Sequence, residues 1–276
     1  MGHIEWVDFV RVDRIPASGE IVHARDAWAA PAGGGPVAAV QLAKLAGGAT
    51  LYTALGDDEL GHRAFAELEA LGLRVEAVFR SSPTRRAVTT IDASGERTIT
   101  VLGERLPPLS SDPLPWDELA EADAVYLCAC DPEAVRLARR AATVVATSRF
   151  LPILREAGVR LDAVVGSAAD PSEAYEEGDI EPPPRIVVRT DGARGGSFSI
   201  DGGPRVPYSP LAVPGPVGDS YGCGDSFAAG LTYALAGERS PVEAVEFAAR
   251  CGAWVMSGRG PYQGQLRAED VHAGRG

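Results

Sequence analysis

Between residues 123 and 190, short β-branched runs alternate with helical patterns, and that alternation is the strongest constraint on the fold. The runs are DAVYLCAC (123–130), TVVAT (143–147), DAVVGSA (162–168) and RIVVRT (185–190), with PEAVRLARRA (132–141) and FLPILREAG (150–158) between them. Apolar strands separated by amphipathic helical stretches read as βαβ units and so as a parallel sheet. Short strands follow at GSFSI (196–200) and RVPYS (205–209), and two helices are expected at 225–237 and 241–257. A doubly wound α/β architecture follows, as a single domain over residues 1–276.

The first hundred residues depart from this rhythm. A strand is expected over 4–13, ended by Pro16 and Gly19, and an extended piece over 20–30. The breaker cluster PAGGGP (31–36) leads into a helix over 37–47, stopped by Gly47 and Gly48, then into a strand, ATLYTAL. Residues 57–71 read as a helix with acids at its start, and 84–102 as a hairpin around Asp92-Ala-Ser-Gly95. The β-rich pieces at about 8–32 and 84–104 fit no βα unit, so they are expected to form a small separate sheet, a lid on one edge.

Composition narrows the partners. A hydrophobic fraction of 45% over 276 residues allows one large core or two small ones. The formal charge of -12 makes nucleic acid and anionic membrane surfaces unfavourable partners, while leaving small ligands open. The four cysteines, Cys128, Cys130, Cys223 and Cys251, form no CxxC pair; reduced thiols and a cytoplasmic location are expected. No run approaches the roughly 20 apolar residues of a membrane helix, and the first ten residues, with Glu5 and Asp8, do not resemble a signal peptide.

The chemistry concentrates in VGDSYGCGDSFAAG (217–230). Gly222 and Gly224 allow a tight turn and close approach to a ligand, and a helix follows at once, aiming free N–H groups and a positive dipole end at one point. That is an anion site built from backbone. Asp225 stands beside it. A carboxylate there is either a base for a hydroxyl attacking phosphorus or an N-cap, and the local pattern leaves both open.

The segment Asp219-Ser-Tyr-Gly222-Cys-Gly224-Asp225 resembles the DTxGAGD signature of the ribokinase (PfkB) sugar-kinase family, with Ser220 and Cys223 in place of Thr and Ala. The resemblance extends over nearly the whole chain and implies a ribokinase-like sandwich with a β lid. It implies an ATP- and Mg²⁺-dependent transfer to a hydroxymethyl group of a sugar or nucleoside. Asp225 would then be the base, and the amides of Gly222, Cys223 and Gly224 the anion hole. It places the acceptor on Gly33, Gly34 and Gly35, although Pro36-Val37-Ala38 carries no amide where the family has an Asn. The family's acceptor-binding Asp on the first strand falls at Val7, one residue from Asp8; a one-residue shift flips the face, so either a bulge restores Asp8 as the acceptor-binding residue or the contact is lost. RIVVRTDGARGGSF resembles the nucleotide turn, giving Thr190, Gly192 and Gly195. Asp170 and Glu173 match an N-x-x-E motif that organises Mg²⁺ through waters, and Asp219, with the SGRGPYQG loop (257–264), matches the position of a monovalent cation such as K⁺. LGDDELG (55–61) matches a scaffold segment. Arg85-Arg86 reads as a solvated pair or, alternatively, as a lid arginine touching the acceptor, and a homodimer through the lid is a further implication.

Two alternatives stand beside this reading. One is a hydroxymethylpyrimidine- or pyridoxal-type kinase of the same superfold, which the 84–104 hairpin disfavours. The other is a non-catalytic ligand sensor, which the missing Asn would suit and an intact Asp225 with its glycines would not.

Overall fold

Successive side chains of a strand point to opposite faces, and this alternation settles the layers. A computed structural model describes residues 1–273. The first half contains β1 (Glu5–Arg11), β2 (Asp26–Ala32), α1 (Gly34–Ala46), β3 (Thr50–Gly56), α2 (Glu59–Ala70), β4 (Arg74–Arg80), β5 (Arg86–Ile91) and β6 (Arg97–Leu102). Then come β7 (Ala124–Leu127), α3 (Pro132–Ala138), β8 (Thr143–Thr147), α4 (Leu151–Ala157), β9 (Ala163–Ser167) and β10 (Ile186–Thr190). The chain closes with β11 (Gly196–Ile200), β12 (Val206–Tyr208), α5 (Cys223–Ala236), α6 (Pro241–Val255) and α7 (Ala268–Ala273).

The main sheet runs β12-β11-β10-β9-β8-β7, with β7 to β10 parallel and the last two strands antiparallel. Val125, Leu127, Val144, Ala146, Val164 and Val187 pack on the face covered by α3 and α4. Tyr126, Cys128, Val145, Val165 and Val188 pack on the other, against Phe227 and Leu231 of α5 and Val245 of α6. Both faces are covered, which is why these strands read as continuous apolar runs. Beyond β7 the sheet continues through the first residues: Cys128 N–H donates to Met1 O at 3.0 Å and Gly2 N–H to Tyr52 O at 3.1 Å. These bonds tie the parallel pair β3-β4 to the main sheet.

The remaining strands form a separate four-stranded sheet, β2-β1-β5-β6, in which β1 and β5 run parallel. Its β5-β6 hairpin turns at Asp92–Gly95, where Asp92 Oδ1 accepts from the N–H groups of Ser94 and Glu96 and Gly95 has φ +85°. β1 enters this sheet from Glu5, and residues 20–25 lie outside β2, so the strand boundaries move from those expected. α6 starts where Ser240 and Glu243 make a reciprocal capping box before Pro241. Among the described residues no helix is long and apolar enough to cross a membrane.

Candidate active site

Two helix N-termini meet, and neither is closed by a side chain. Gly33 precedes α1 with φ +94° and Gly222 precedes α5 with φ +79°, without a side-chain cap bond at either. Both φ values lie where an L side chain is strained, so glycine is required at these two positions. The helices approach so closely that a Cβ on Gly34 would sit 3.0 Å from Asp225 Oδ1 and 3.2 Å from Cys128 Sγ. A Cβ on Gly222 would sit 2.8 Å from Val37 Cγ1. Tyr221 holds the two turns together, its hydroxyl accepting from Gly33 N–H at 3.2 Å. First-turn amides and two positive dipole ends therefore face one space, which suits an anion. Gly224 is exposed, and a Cβ there would meet nothing.

Asp225 is the third residue of α5 and not its cap, because the helix begins two residues earlier than the sequence pattern indicated. Among the described residues no hydrogen bond or ion pair engages its carboxylate. Burial pushes its pKa up to about 6; Arg97 and Arg149 act against that rise, and Glu173 and Glu5 add to it. An uncommitted carboxylate with a pKa near neutrality is what a general base requires.

The small sheet reaches this space by its hairpin. Ser220 N–H donates to Gly95 O at 3.0 Å, and Arg97 Nη1 donates to Ser220 O at 3.0 Å and Ser220 Oγ at 3.1 Å. Phe9 of β1 stacks on Trp28 at 5.0 Å and meets Tyr221 edge-on at 4.9 Å, contacts worth about 0.5–1.5 kcal/mol each beyond their buried area. The face of β1 turned to the glycine turns carries Glu5, Val7, Phe9 and Arg11: Val7 and Phe9 pack with Val37 and Tyr221, and a Cβ on Gly33 would lie 3.4 Å from Glu5 Cγ. Asp8 points to the opposite face, where it pairs with Arg86 at 2.9 Å. No bulge restores it, so Asp8 does not join the cluster.

The carboxyl ends of β7 to β10 form the floor, the usual place for ligands in an open α/β sheet. They carry Cys128, Arg149, Ser167 with the following Asp170–Glu173 turn, and Thr190, which pairs with Ser167. The turn after β10 has Gly192 at φ +52° and Gly195 at φ +85°, and a Cβ on Gly195 would fall 2.3 Å from Tyr208 O. Thr190 Oγ1 is directed to Gly166 O at 3.4 Å.

The fold is shared with known proteins. The family described as pfkB family carbohydrate kinase matches residues 1–157 and 160–267. The chain belongs to that family. Membership makes it a phosphotransferase acting on an alcohol group. An ATP-dependent ribose-1-phosphate kinase from Halopiger xanaduensis is 29% identical over 268 residues, covering 91% of this chain and 89% of that protein. Among solved structures, the microbiome-derived acarbose kinase Mak1 superposes with a TM-score of 0.80 at 23% identity, over 99% of this chain and 96% of that one. Arabidopsis thaliana ribokinase, solved with ribose and ATP, gives 0.76 at 20% identity over 99% and 96%. The ribokinase-like α/β fold is thus shown from both sequence and structure.

In this PfkB kinase the acids expected to hold cations already have protein partners. Asp170 Oδ1 accepts from Ser172 N–H and its Oδ2 from Arg149; Glu173 Oε2 accepts from Ser167 N–H, while its Oε1 pairs with Arg149. All four oxygens accept a bond from within the protein and lone pairs remain on both carboxylates, which is compatible with a Mg²⁺ organised through waters and not bound directly. Asp219 is fully buried and accepts from Tyr221 N–H at 3.1 Å and Gly260 N–H at 2.7 Å, with Arg11 at 3.6 Å. The 257–264 loop reaches Asp219 through Gly260 N–H, and Arg11 places a positive charge beside the carboxylate. Among the described residues no group of three or more His, Cys, Asp or Glu could hold a metal.

Several members of the site were missed from sequence. Arg149 and Arg97 both act on Asp225, and neither lies in a glycine motif. Arg85 is not a solvated residue: its side chain is 14% exposed and lies 2.8 Å from Glu5 Oε1. The signal available for Glu5 was its place two residues before Val7 on the same strand face. LGDDELG is scaffold, as expected: Asp58 caps α2 through Gly61 N–H and binds Thr84 N–H and Oγ1 at the root of the hairpin.

Proposed function

We propose that this kinase transfers the γ-phosphoryl group of ATP to a hydroxymethyl group of a sugar or nucleoside, with Asp225 as base. The observation that carries the reading is the unpaired carboxylate of Asp225, in the first turn of the uncapped α5, 3.0 Å from where a Gly34 Cβ would be. The acceptor lies along Gly33, Gly34 and Gly35, and its hydroxyl approaches Asp225. As the acceptor oxygen bonds to the γ-phosphorus, its proton passes to Asp225 and the bond from phosphorus to the bridging oxygen breaks, releasing ADP. The amides of Gly222, Cys223 and Gly224, the α5 dipole and Arg97 stabilise charge on the transferring oxygens. The nucleotide uses the turn at Thr190, Gly192 and Gly195. Asp170 and Glu173 would hold Mg²⁺ through waters, and the ion would supply positive charge against the nucleotide phosphates.

The four-stranded sheet acts as the lid that keeps water from the phosphoryl group, and its presence argues against a pyridoxal-type kinase. ADP release against pH tests the base. Because burial raises the Asp225 pKa to about 6, kcat/KM should climb tenfold per pH unit below that value and level off above it. A profile flat from pH 5 to 8 would refute the assignment.

Two further parts belong to the proposal. All six residues of β6 are exposed, including Ile99, Val101 and Leu102 at 41–46%. An apolar edge strand of this kind seeks a partner, and a homodimer joined through the lid sheets covers it. Light scattering should give twice the chain mass, and a monomer at micromolar concentration would remove this part. A cytoplasmic location fits four free thiols, three of them buried.

A further inference from the structure

The segment that follows the 257–264 loop touches both helices of the site and carries a buried amide with an unfinished set of bonds. Gln265 is 3% exposed. Its Nε2 donates to Val37 O of α1 at 2.8 Å and to Ser226 Oγ of α5 at 3.4 Å. Its Oε1 is enclosed and has no donor. The orientation is dictated, because the amide turned over would set its oxygen against Val37 O, acceptor facing acceptor. The segment is itself strapped along α1, where Gln41 Nε2 donates to Leu266 O at 2.7 Å and Lys44 Nζ donates to Tyr262 O.

Val37 and Ser226 occupy matching places in their helices. Val37 N–H donates to Gly33 O at 3.3 Å and Ser226 N–H to Gly222 O at 2.8 Å, so each closes a first turn onto a positive-φ glycine. Ser226 is the neighbour of Asp225, and a Cβ on Gly222 would lie 2.8 Å from Val37 Cγ1. That apolar contact sets how near the helices come. Being non-directional, it leaves their mutual rotation and sliding open, whereas hydrogen bonds have preferred angles. Tyr221 supplies one such bond at Gly33 N–H, and Gln265 supplies a second tie one turn further along both helices. Nor does packing alone ask for glutamine here. An enclosed amide oxygen without a donor costs stability, and Met, an unbranched side chain of similar size, would fill the place without that cost.

We propose that Gln265 is a positioning residue, a polar tie that holds the acceptor turn of α1 in register with the base and anion loop of α5. It acts through Val37 and Ser226 and takes no part in the chemistry. This rests on the kinase reading above, in which the acceptor lies on the α1 turn and the transferring phosphoryl group on the α5 turn. Without the tie the attacking hydroxyl and the phosphorus lose alignment, and a misplacement of about 1 Å costs on the order of a hundredfold in rate.

The test compares the full chain as wild type, Gln265→Met, Ser226→Ala and the double variant. Thermal midpoints, amide hydrogen exchange and ADP release with ribose, glucose or adenosine are measured. Gln265→Met should leave the midpoint unchanged or raised. The amides of Val37, Ala38, Ser226 and Phe227 should exchange about tenfold faster, and those of the rest of the chain should not. The same variant should lower kcat about ten- to a hundredfold and leave the KM for ATP unchanged. Ser226→Ala should lose less, and the double variant should be no slower than Gln265→Met alone, because both changes break one tie. Where none of the three acceptors is turned over, the exchange pattern decides. Wild-type exchange at those four amides overturns the proposal. So does faster exchange over the whole chain with a lowered midpoint, since Gln265 would then only support the core. Slow transfer in Gln265→Met beside fast transfer in Asp225→Asn keeps the tie and removes the base; the reverse keeps the base and removes the tie.

Discussion

Asp225→Asn should lower the rate of phosphoryl transfer about a thousandfold, the range lost with a positioned general base, and should make the protein more stable. The two effects have one cause. The carboxylate is placed where burial lifts its pKa to about 6 from an ordinary 3.8. At pH 7 it is ionised in both folded and unfolded chains, and the fold bears the cost of a buried charge without an ion-pair partner. That cost is fully present above the folded pKa of about 6. It fades as the pH falls through 6 toward the unfolded value near 4. Asparagine removes it at every pH, a gain on the order of 1–3 kcal/mol near neutrality. Denaturant midpoints at pH 7.5 and pH 4.5, with single-turnover assays alongside, check both halves. The Asn variant should be more stable than the wild type at pH 7.5, with the advantage cut to about a third at pH 4.5. A variant that stays fast would remove Asp225 from the chemistry, and one destabilised at pH 7.5 would show a structural role instead.

Arg97→Ala should lower kcat about a hundredfold, in keeping with loss of a cation that stabilises the transferring phosphoryl group. Arg97 is the only residue of β6 shown bonding to the anion loop, through Ser220 O and Oγ. It is also the foremost charge holding down the pKa of Asp225. Its removal should therefore move the acid limb of the pH–rate profile upward, which loss of hairpin packing alone would not do. Arg97→Lys keeps the charge but not the planar guanidinium that sets Nη1 against Ser220 O and Oγ, so it should restore the limb's position with only part of the rate. A limb that stays in place in Arg97→Ala would mean that Arg97 only anchors the hairpin.

The elements read well from sequence where their signals are local. The Asp92–Gly95 turn, the breaker cluster before α1 and the glycines of 222–224 each dictate backbone over a few residues. α5 was misjudged by two residues because Gly222, at positive φ, can serve as the cap itself, so Asp225 is displaced from the cap into the first turn. The charge network could not be read. Arg149 meets Asp170 and Glu173 across 21 and 24 residues, Arg11 lies 3.6 Å from Asp219, and Arg86 takes Asp8 across 78. None of those pairings lies within a single motif.

The chain by itself determined the parallel sheet covered on both faces, the hairpin of the lid and the backbone of the anion site, because each follows from periodicity or from glycine at a fixed place. Only the tertiary structure decided that Glu5 and not Asp8 faces the cleft, since the strand's face depends on pairing with β2 and β5. Only the packed molecule, too, brought α1 against α5 and left the Asp225 carboxylate without a partner among the described residues. Which charges find partners is settled by contacts distant in sequence, and no local pattern encodes them.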